Sequence, residues 1–108
     1  MNRIVWATVA ADDFREVFEY LKSQSQTVAR SFVDQVDSVV RRLGTHPRSG
    51  RIVPELKKQN ISRYREVVLN PWRLFYRYEQ DTVYIVSLID GRRNIEEILF
   101  RRVLDQGE

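Results

Sequence analysis

At 108 residues, 43% hydrophobic and 31% charged, the chain has the size and composition of one folded domain spanning 1–108, and is too short for two that each bury a core. It has no Cys and a single His, His46, which excludes a disulfide framework, a thiolate nucleophile, a Cys-ligated metal and most His-based metal centres. No run approaches the roughly 20 apolar residues of a membrane span, and the Met1 end lacks a secretory apolar core, so a cytoplasmic protein without membrane contact is expected.

In chain order, residues 2–7 alternate Ile4 and Trp6 with Arg3 and Val5, the pattern of a short strand. Thr8 is placed to cap a helix over 9–22, in which Phe14, Val17, Phe18 and Leu21 form one apolar stripe and Asp12 and Asp13 lie near the positive end. Polar residues 23–26 interrupt it. A second stripe, Ala29, Phe32, Val33, Val36, Val40 and Leu43, marks a helix over 27–43 closed by Gly44. Two amphipathic helices so closely linked predict an antiparallel hairpin. Beyond the loop 45–50 the period falls from 3.6 to 2, and 51–56, 62–69, 73–79 and 82–89 read as strands of a meander. Gln80 and Asp81 form a tight link between the last two. Asn94 is placed to cap a final helix ending near Leu104, with Glu96 and Glu97 in its first turn and Arg101 and Arg102 in its last. The predicted fold is α+β: an N-terminal strand and an antiparallel helix hairpin packed on one face of an antiparallel sheet, in the order β-α-α-β-β-β-β, with a C-terminal helix.

The net charge of +3 is unevenly spread. Residues 1–40 carry four basic and six acidic side chains, residues 78–108 four and seven, but residues 41–77 carry ten and two, a local excess of eight. Fifteen of the 18 basic residues are Arg, whose planar fork suits phosphate and carboxylate, so an anionic partner is expected. On alternating strands Arg63 and Arg65 share a face, as do Arg73 and Arg77. If the hairpin covers the other side of the sheet, these four guanidinium groups lie together on an open surface, with Tyr64, Trp72, Tyr76 and Tyr78 on or near it. Such interleaving can hold phosphates and stack bases, although Phe75, Tyr76 and Tyr78 equally suit cross-strand packing.

The sequence contains no GxGxxG, P-loop, HExxH or paired-carboxylate motif, so no cofactor or metal is expected. Metal-free phosphodiester chemistry remains. RNA can be cut by its own 2′-OH when one group removes the proton, cations stabilise the phosphorane and another group protonates the leaving oxygen. Glu55 is the candidate base, Arg63 and Arg65 the charge stabilisers, and Tyr76 or Arg92 the group that completes the site. Glu55 after Pro54 reads equally well as an exposed turn carboxylate, Tyr76 as a packing residue, and His46 before Pro47 as a loop residue.

Several segments, taken in order, resemble the RelE/ParE superfamily of bacterial toxins. They are Trp6-Ala7-Thr8 with Ala11-Asp12-Asp13-Phe14, residues 29–33, residues 47–56, residues 64–67, Trp72-Arg73-Leu74-Phe75-Tyr76 and Ile89-Asp90-Gly91-Arg92-Arg93. The resemblance implies a type II toxin-antitoxin (plasmid-stabilisation) toxin that inhibits growth and is bound by an antitoxin encoded beside it. It also implies one of two targets. RelE-like and YoeB-like members cut messenger RNA in the ribosomal A site, whereas ParE-like members poison DNA gyrase and are not thought to be nucleases. Glu55 and Arg65 match a YoeB-like Glu and Arg. The stretch where such enzymes place His or Tyr holds Ile89, Asp90 and Gly91 instead, and the RelE-like Lys cluster is reduced to Lys57 and Lys58. An Asp is not a neutral acid at pH 7 unless its pKa is strongly raised. The expectation is therefore a ParE-like gyrase inhibitor, with the ribosome-dependent mRNA endoribonuclease as the alternative and an inert relative as a third reading. Arg63, Arg65, Arg73, Arg77, Arg92 and Arg93 are the expected target or anion contacts. The antitoxin is expected on apolar area at Phe18, Phe32 and Trp72, as an acidic segment that folds on binding or an amphipathic helix.

Overall fold

The computed structural model describes residues 1–105; the last three residues of the 1–108 span lie outside it. The elements are β1 (Arg3–Trp6), α1 (Thr8–Gln24), α2 (Gln26–Thr45), β2 (Arg51–Ile52), α3 (Pro54–Lys57), β3 (Tyr64–Leu69), β4 (Trp72–Glu79), β5 (Thr82–Asp90) and α4 (Ile95–Asp105). The strands form one sheet in the order β1-β5-β4-β3-β2. The α+β arrangement expected from periodicity is present, with one change in strand sense. β1 enters at the far edge running parallel to β5, so the sheet is mixed, not wholly antiparallel. No helix among the described residues is long and apolar enough to cross a membrane.

The two apolar stripes of α1 and α2 meet each other and one face of the sheet, as their 3.6 spacing requires. Phe32, Val36, Leu43, Leu69, Leu74, Tyr76, Val83, Ile85 and Leu88 form this core, with Phe14, Val17, Phe18 and Leu21 packed against it. A chain of rings crosses the layer: Trp6 meets Phe14 edge-on at 5.8 Å, Phe14 stacks on Phe32 at 5.3 Å, and Phe32 meets Trp72 edge-on at 5.9 Å. Phe32 is 3% exposed, so it is a core residue and not part of the exposed apolar area expected of it; Phe18 and Trp72 are half-buried.

Local details depart from expectation for identifiable reasons. Thr8 is the first residue of α1, not its cap; Ala7 precedes the helix without a side-chain cap, whereas Ser25 caps α2 by accepting from the Val28 N–H at 3.3 Å. α2 runs through Gly44 to Thr45. The Gly44 carbonyl accepts from the Asn2 backbone N–H at 2.8 Å, which ties the end of α2 to the start of the chain. The strand expected over 51–56 stops at Ile52, because Pro54 cannot donate to a ladder but suits the first turn of a helix, which it opens. Gln80 and Asp81 both have positive φ, 51° and 61°, the conformation of a two-residue hairpin turn, and Glu79 pairs with Thr82 as expected. Asn94 caps α4, accepting from the Glu97 N–H at 3.3 Å.

The largest departure is a third layer. Ile95, Leu99 and Val103 recur every four residues along α4 and bury against Phe75, Val86 and Ile89, together with Leu56 of α3. Both faces of the sheet are therefore covered over much of their area. α4 is also tied to α1: Arg102 donates to Asp13 at 2.6 and 3.1 Å and to the Ser87 hydroxyl at 2.9 Å, while Asp13 accepts from the Leu88 N–H at 3.0 Å. Asp13 thus serves as a buried junction between three elements and not as a partner of the helix dipole. Asp13→Ala leaves the buried Leu88 N–H unpaired and strips Arg102 of its carboxylate. A loss of about 3 kcal/mol in urea unfolding is expected, with Arg102→Ala adding much less in the Asp13→Ala background than alone.

Candidate functional site

Residues paired across an antiparallel ladder share a face of the sheet. Because Tyr64 pairs with Arg77 and Leu69 with Trp72, every odd-numbered residue of β3 faces the same way as an even-numbered residue of β4. Arg65 therefore lies on the hairpin face beside Tyr76, while Arg73 and Arg77 point to the opposite face, with Val68 and Tyr64 as their ladder partners. Arg63 precedes β3 in a bend. The single open surface of four guanidinium groups expected at Arg63, Arg65, Arg73 and Arg77 does not form, and the parity of the register is the reason.

Two clusters result. On the α4 face, the Glu66 side chain is wholly buried in the middle of β3 and needs cationic partners there. Arg73 supplies them, donating from Nε to one Glu66 oxygen at 2.5 Å and from Nη2 to the other at 2.6 Å. The same guanidinium reaches Glu55, Nη1 and Nη2 each donating at 2.8 Å, and Arg51 donates to Glu66 at 2.9 Å. One Arg thus clamps two carboxylates and joins α3, β3 and β4, while Arg51 brings in β2. The hydrogen bonds from Arg73 hold the Glu55 carboxyl below its ordinary value and push Arg73 itself further up. Glu55 is in this way a structural anion whose two oxygens are both engaged.

On the hairpin face, the buried Tyr76 hydroxyl accepts from the Gly50 N–H at 2.9 Å and donates to the Pro47 carbonyl at 2.7 Å. Burial raises its pKa, with the Gly50 N–H pulling the other way. Gly50 is required: a Cβ there would lie 2.7 Å from both the Glu66 carbonyl and the Tyr76 hydroxyl. Arg65 donates to the carbonyls of Gly50 at 2.9 Å and Arg48 at 3.3 Å. Tyr76 and Arg65 together pin the loop 46–50 to the sheet.

The other expected site residues are separate from these clusters. Arg92 grips Asp90 with Nε at 2.9 Å and Nη2 at 2.6 Å, which together with the Arg92 N–H draws the Asp90 carboxyl down to about 2. Arg93 is exposed next to them. Arg63 lies over the Tyr64 ring at 5.5 Å, Arg48 over Tyr78 at 4.9 Å, and Arg77 over Tyr84 at 4.1 Å while also pairing with Glu79. Among the described residues, no group of three or more His, Asp and Glu is arranged to hold a metal. Glu66 was not anticipated as a site residue; its signal was a carboxylate in mid-strand with Tyr64 and Val68 on its own face, which calls for a buried cation.

Because the folded-state pKa of Glu55 lies below its ordinary 4.5, its pairing with Arg73 contributes stability fully above that pH and loses it as pH falls through the lower folded value. Glu55→Gln is expected to lower stability by about 1.5 kcal/mol at pH 7 and to flatten the fall in stability below pH 4.5, measured by urea unfolding across pH.

Similar proteins place this geometry in context. Residues 4–95 match the family model described as the ParE toxin of the type II toxin-antitoxin system parDE. A toxin ParE3 from Caulobacter vibrioides is 28% identical over 96 residues, covering 88% of this chain and 92% of that protein. A solved structure from a chromosomal ParDE toxin-antitoxin system of P. aeruginosa superposes with a TM-score of 0.66 at 17% identity, covering 83% of this chain and 96% of that one, and so shares the fold. With most of its length matched by the family model, this chain belongs to the ParE toxin family of type II toxin-antitoxin systems.

Proposed function

We propose that this toxin inhibits growth in the cytoplasm by binding DNA gyrase, without cutting RNA, and that a cognate antitoxin silences it. One observation carries the reading: the groups a metal-free ribonuclease would need are already committed. Glu55 spends both oxygens on Arg73, Tyr76 is buried with its hydroxyl bonded to the 46–50 loop, and Arg92 is clamped to Asp90. A general base must be free to reach the proton it removes, and a depressed pKa weakens it further.

For the antitoxin, the groove between α1 and α2 has about 430 Å³ of space. Phe18, Ala29 and Val33 contribute apolar surface, and Lys22 and Arg30 contribute charge. An amphipathic helix with an acidic flank fits that pattern. Phe18 lines this groove, while Phe32 lies beneath the surface.

The alternative, an mRNA endoribonuclease using Glu55, Arg65, Arg63, Tyr76 and Arg92, is favoured by one feature. Arg65 is satisfied by carbonyls and Arg48 lies over a ring, so both keep uncompensated charge for a phosphate. Gyrase supercoiling and ribosomal translation assays run side by side on purified toxin separate the readings. Inhibited supercoiling with intact messenger RNA, unchanged in Glu55→Gln, is the expected result. Codon-phased cleavage abolished by Glu55→Gln would establish the alternative, and inactivity in both assays the inert relative.

A further inference from the structure

Half of the ten basic residues between positions 41 and 77 are neutralised inside the fold: Arg41, Arg51, Lys58, Arg73 and Arg77 pair with carboxylates. Arg42, Arg48, Lys57, Arg63 and Arg65 have no carboxylate within ion-pair distance among the described residues. Two of these five meet at the loop 46–50. Arg65 spends Nη1 on the Gly50 and Arg48 carbonyls, at 2.9 and 3.3 Å, which leaves Nε and Nη2, the two-pronged side of its guanidinium, without a partner. Arg48 is exposed, its guanidinium resting 4.9 Å from the centre of the Tyr78 ring. Asp81, which accepts from the Tyr78 hydroxyl at 3.4 Å, makes no ion pair with it. The Ser49 hydroxyl is exposed and has no hydrogen-bond partner among the described residues.

The loop is fastened at Pro47 and Gly50 by the Tyr76 hydroxyl. Both cations are thereby held in place before any ligand arrives, which lowers the entropic cost of ordering two long side chains on binding. The surrounding rings select among anions. A protein grips a single nucleic-acid strand through its bases as well as its phosphates, and needs open aromatic faces for them to stack on. Around this loop those faces are taken: Tyr64 and Tyr76 are 1% and 0% exposed, and Tyr78 is covered by Arg48. A duplex keeps its bases in their own stack and offers its phosphates outward, so guanidinium forks without free rings match a duplex.

We propose that the surface formed by Arg48, Ser49 and Arg65 binds the phosphate backbone of duplex DNA, and that the toxin uses it to grip the DNA on which gyrase works. Recognition is by charge and hydrogen bonding to phosphate, without sequence preference. The DNA grip stands on this geometry alone, and its use at gyrase rests on the function proposed above.

The probe is a labelled DNA duplex of arbitrary sequence, titrated with the purified full chain across a range of salt concentrations, beside single-stranded RNA and polyglutamate. The variants are Arg48→Ala, Arg65→Gln and Arg15→Ala. Arg15 is an exposed helix residue paired with Asp12, so its variant removes the same net charge elsewhere. Duplex binding that weakens linearly on a log–log salt plot is expected. Arg48→Ala and Arg65→Gln should each weaken it about threefold to tenfold and reduce the slope by about one, whereas Arg15→Ala should change neither. The same two variants should inhibit supercoiling more weakly than wild type. Arg48→Ala removes only an exposed side chain, so a folding defect in Arg65→Gln leaves the test standing. Equal weakening by Arg15→Ala shows a response to net charge alone and overturns the site. So does tighter binding of single-stranded RNA, or of polyglutamate at the same charge concentration. Supercoiling inhibition unchanged in both loop variants overturns the grip on gyrase-bound DNA while leaving the gyrase reading intact. Duplex binding that depends on Arg48 and Arg65, with no effect on supercoiling, overturns the gyrase reading and upholds the DNA site.

Discussion

The register of β3 against β4 decides which groups meet in this molecule. A two-residue turn at Asn70 and Pro71 sets Leu69 opposite Trp72, and from that pair every other follows. Glu66 and Arg73 fall on the same face as diagonal neighbours, which lets one guanidinium satisfy a carboxylate with no access to water. The same register turns Arg65 and Tyr76 to the other face, where both reach the loop 46–50. A slip of one residue would exchange the faces of the whole strand, burying Arg65 with the α4 layer and sending Glu66 into the hairpin core. Loop, one-turn helix and central strands are all positioned by this single choice.

The same register sorts the basic residues by their partners. Arg73, Arg51, Arg92 and Arg102 are paired with carboxylates, and their charge is largely spent within the fold. Arg48, Arg63 and Arg65 are held by carbonyl oxygens or aromatic faces, which fix geometry without cancelling charge. The positive field of the middle third of the chain is thus concentrated near the start of β3 and the loop beside it. A count of charges along the sequence locates the region but overstates how many are available to a partner.

Much of the architecture was legible because it rests on periodicity. The stripes of α1 and α2, the Gln80-Asp81 hairpin and the Asn94 cap are local patterns whose physics acts within a few residues. The faces of the Arg residues were not legible, because they depend on register. Starting β4 at Arg73 instead of Trp72 hides the two-residue turn, and with it the odd-to-even pairing. Reading that turn at Asn70 and Pro71 would have separated Arg65 from Arg73 without any coordinates. The Asp13–Arg102 bond joins residues 89 apart, and no local signal marks it.

Polar groups fully engaged inside a fold stabilise it and leave little free for chemistry, and this distinction separates the two classes of toxin action considered for this chain. A catalytic carboxylate is maintained poised, near its substrate and without a better partner. Glu55 has a better partner in Arg73, and opening that clamp would also leave Arg73 leaning on Glu66 alone at the centre of the sheet. What the fold leaves unfinished is surface: cations without carboxylates beside the loop 46–50, a half-apolar groove between the helices, and a bare strand edge along β3. Unfinished surface is the resource of a protein that acts by binding. Here the groove beside β3 and the groove between the helices share Arg30, so the two surfaces meet at that residue.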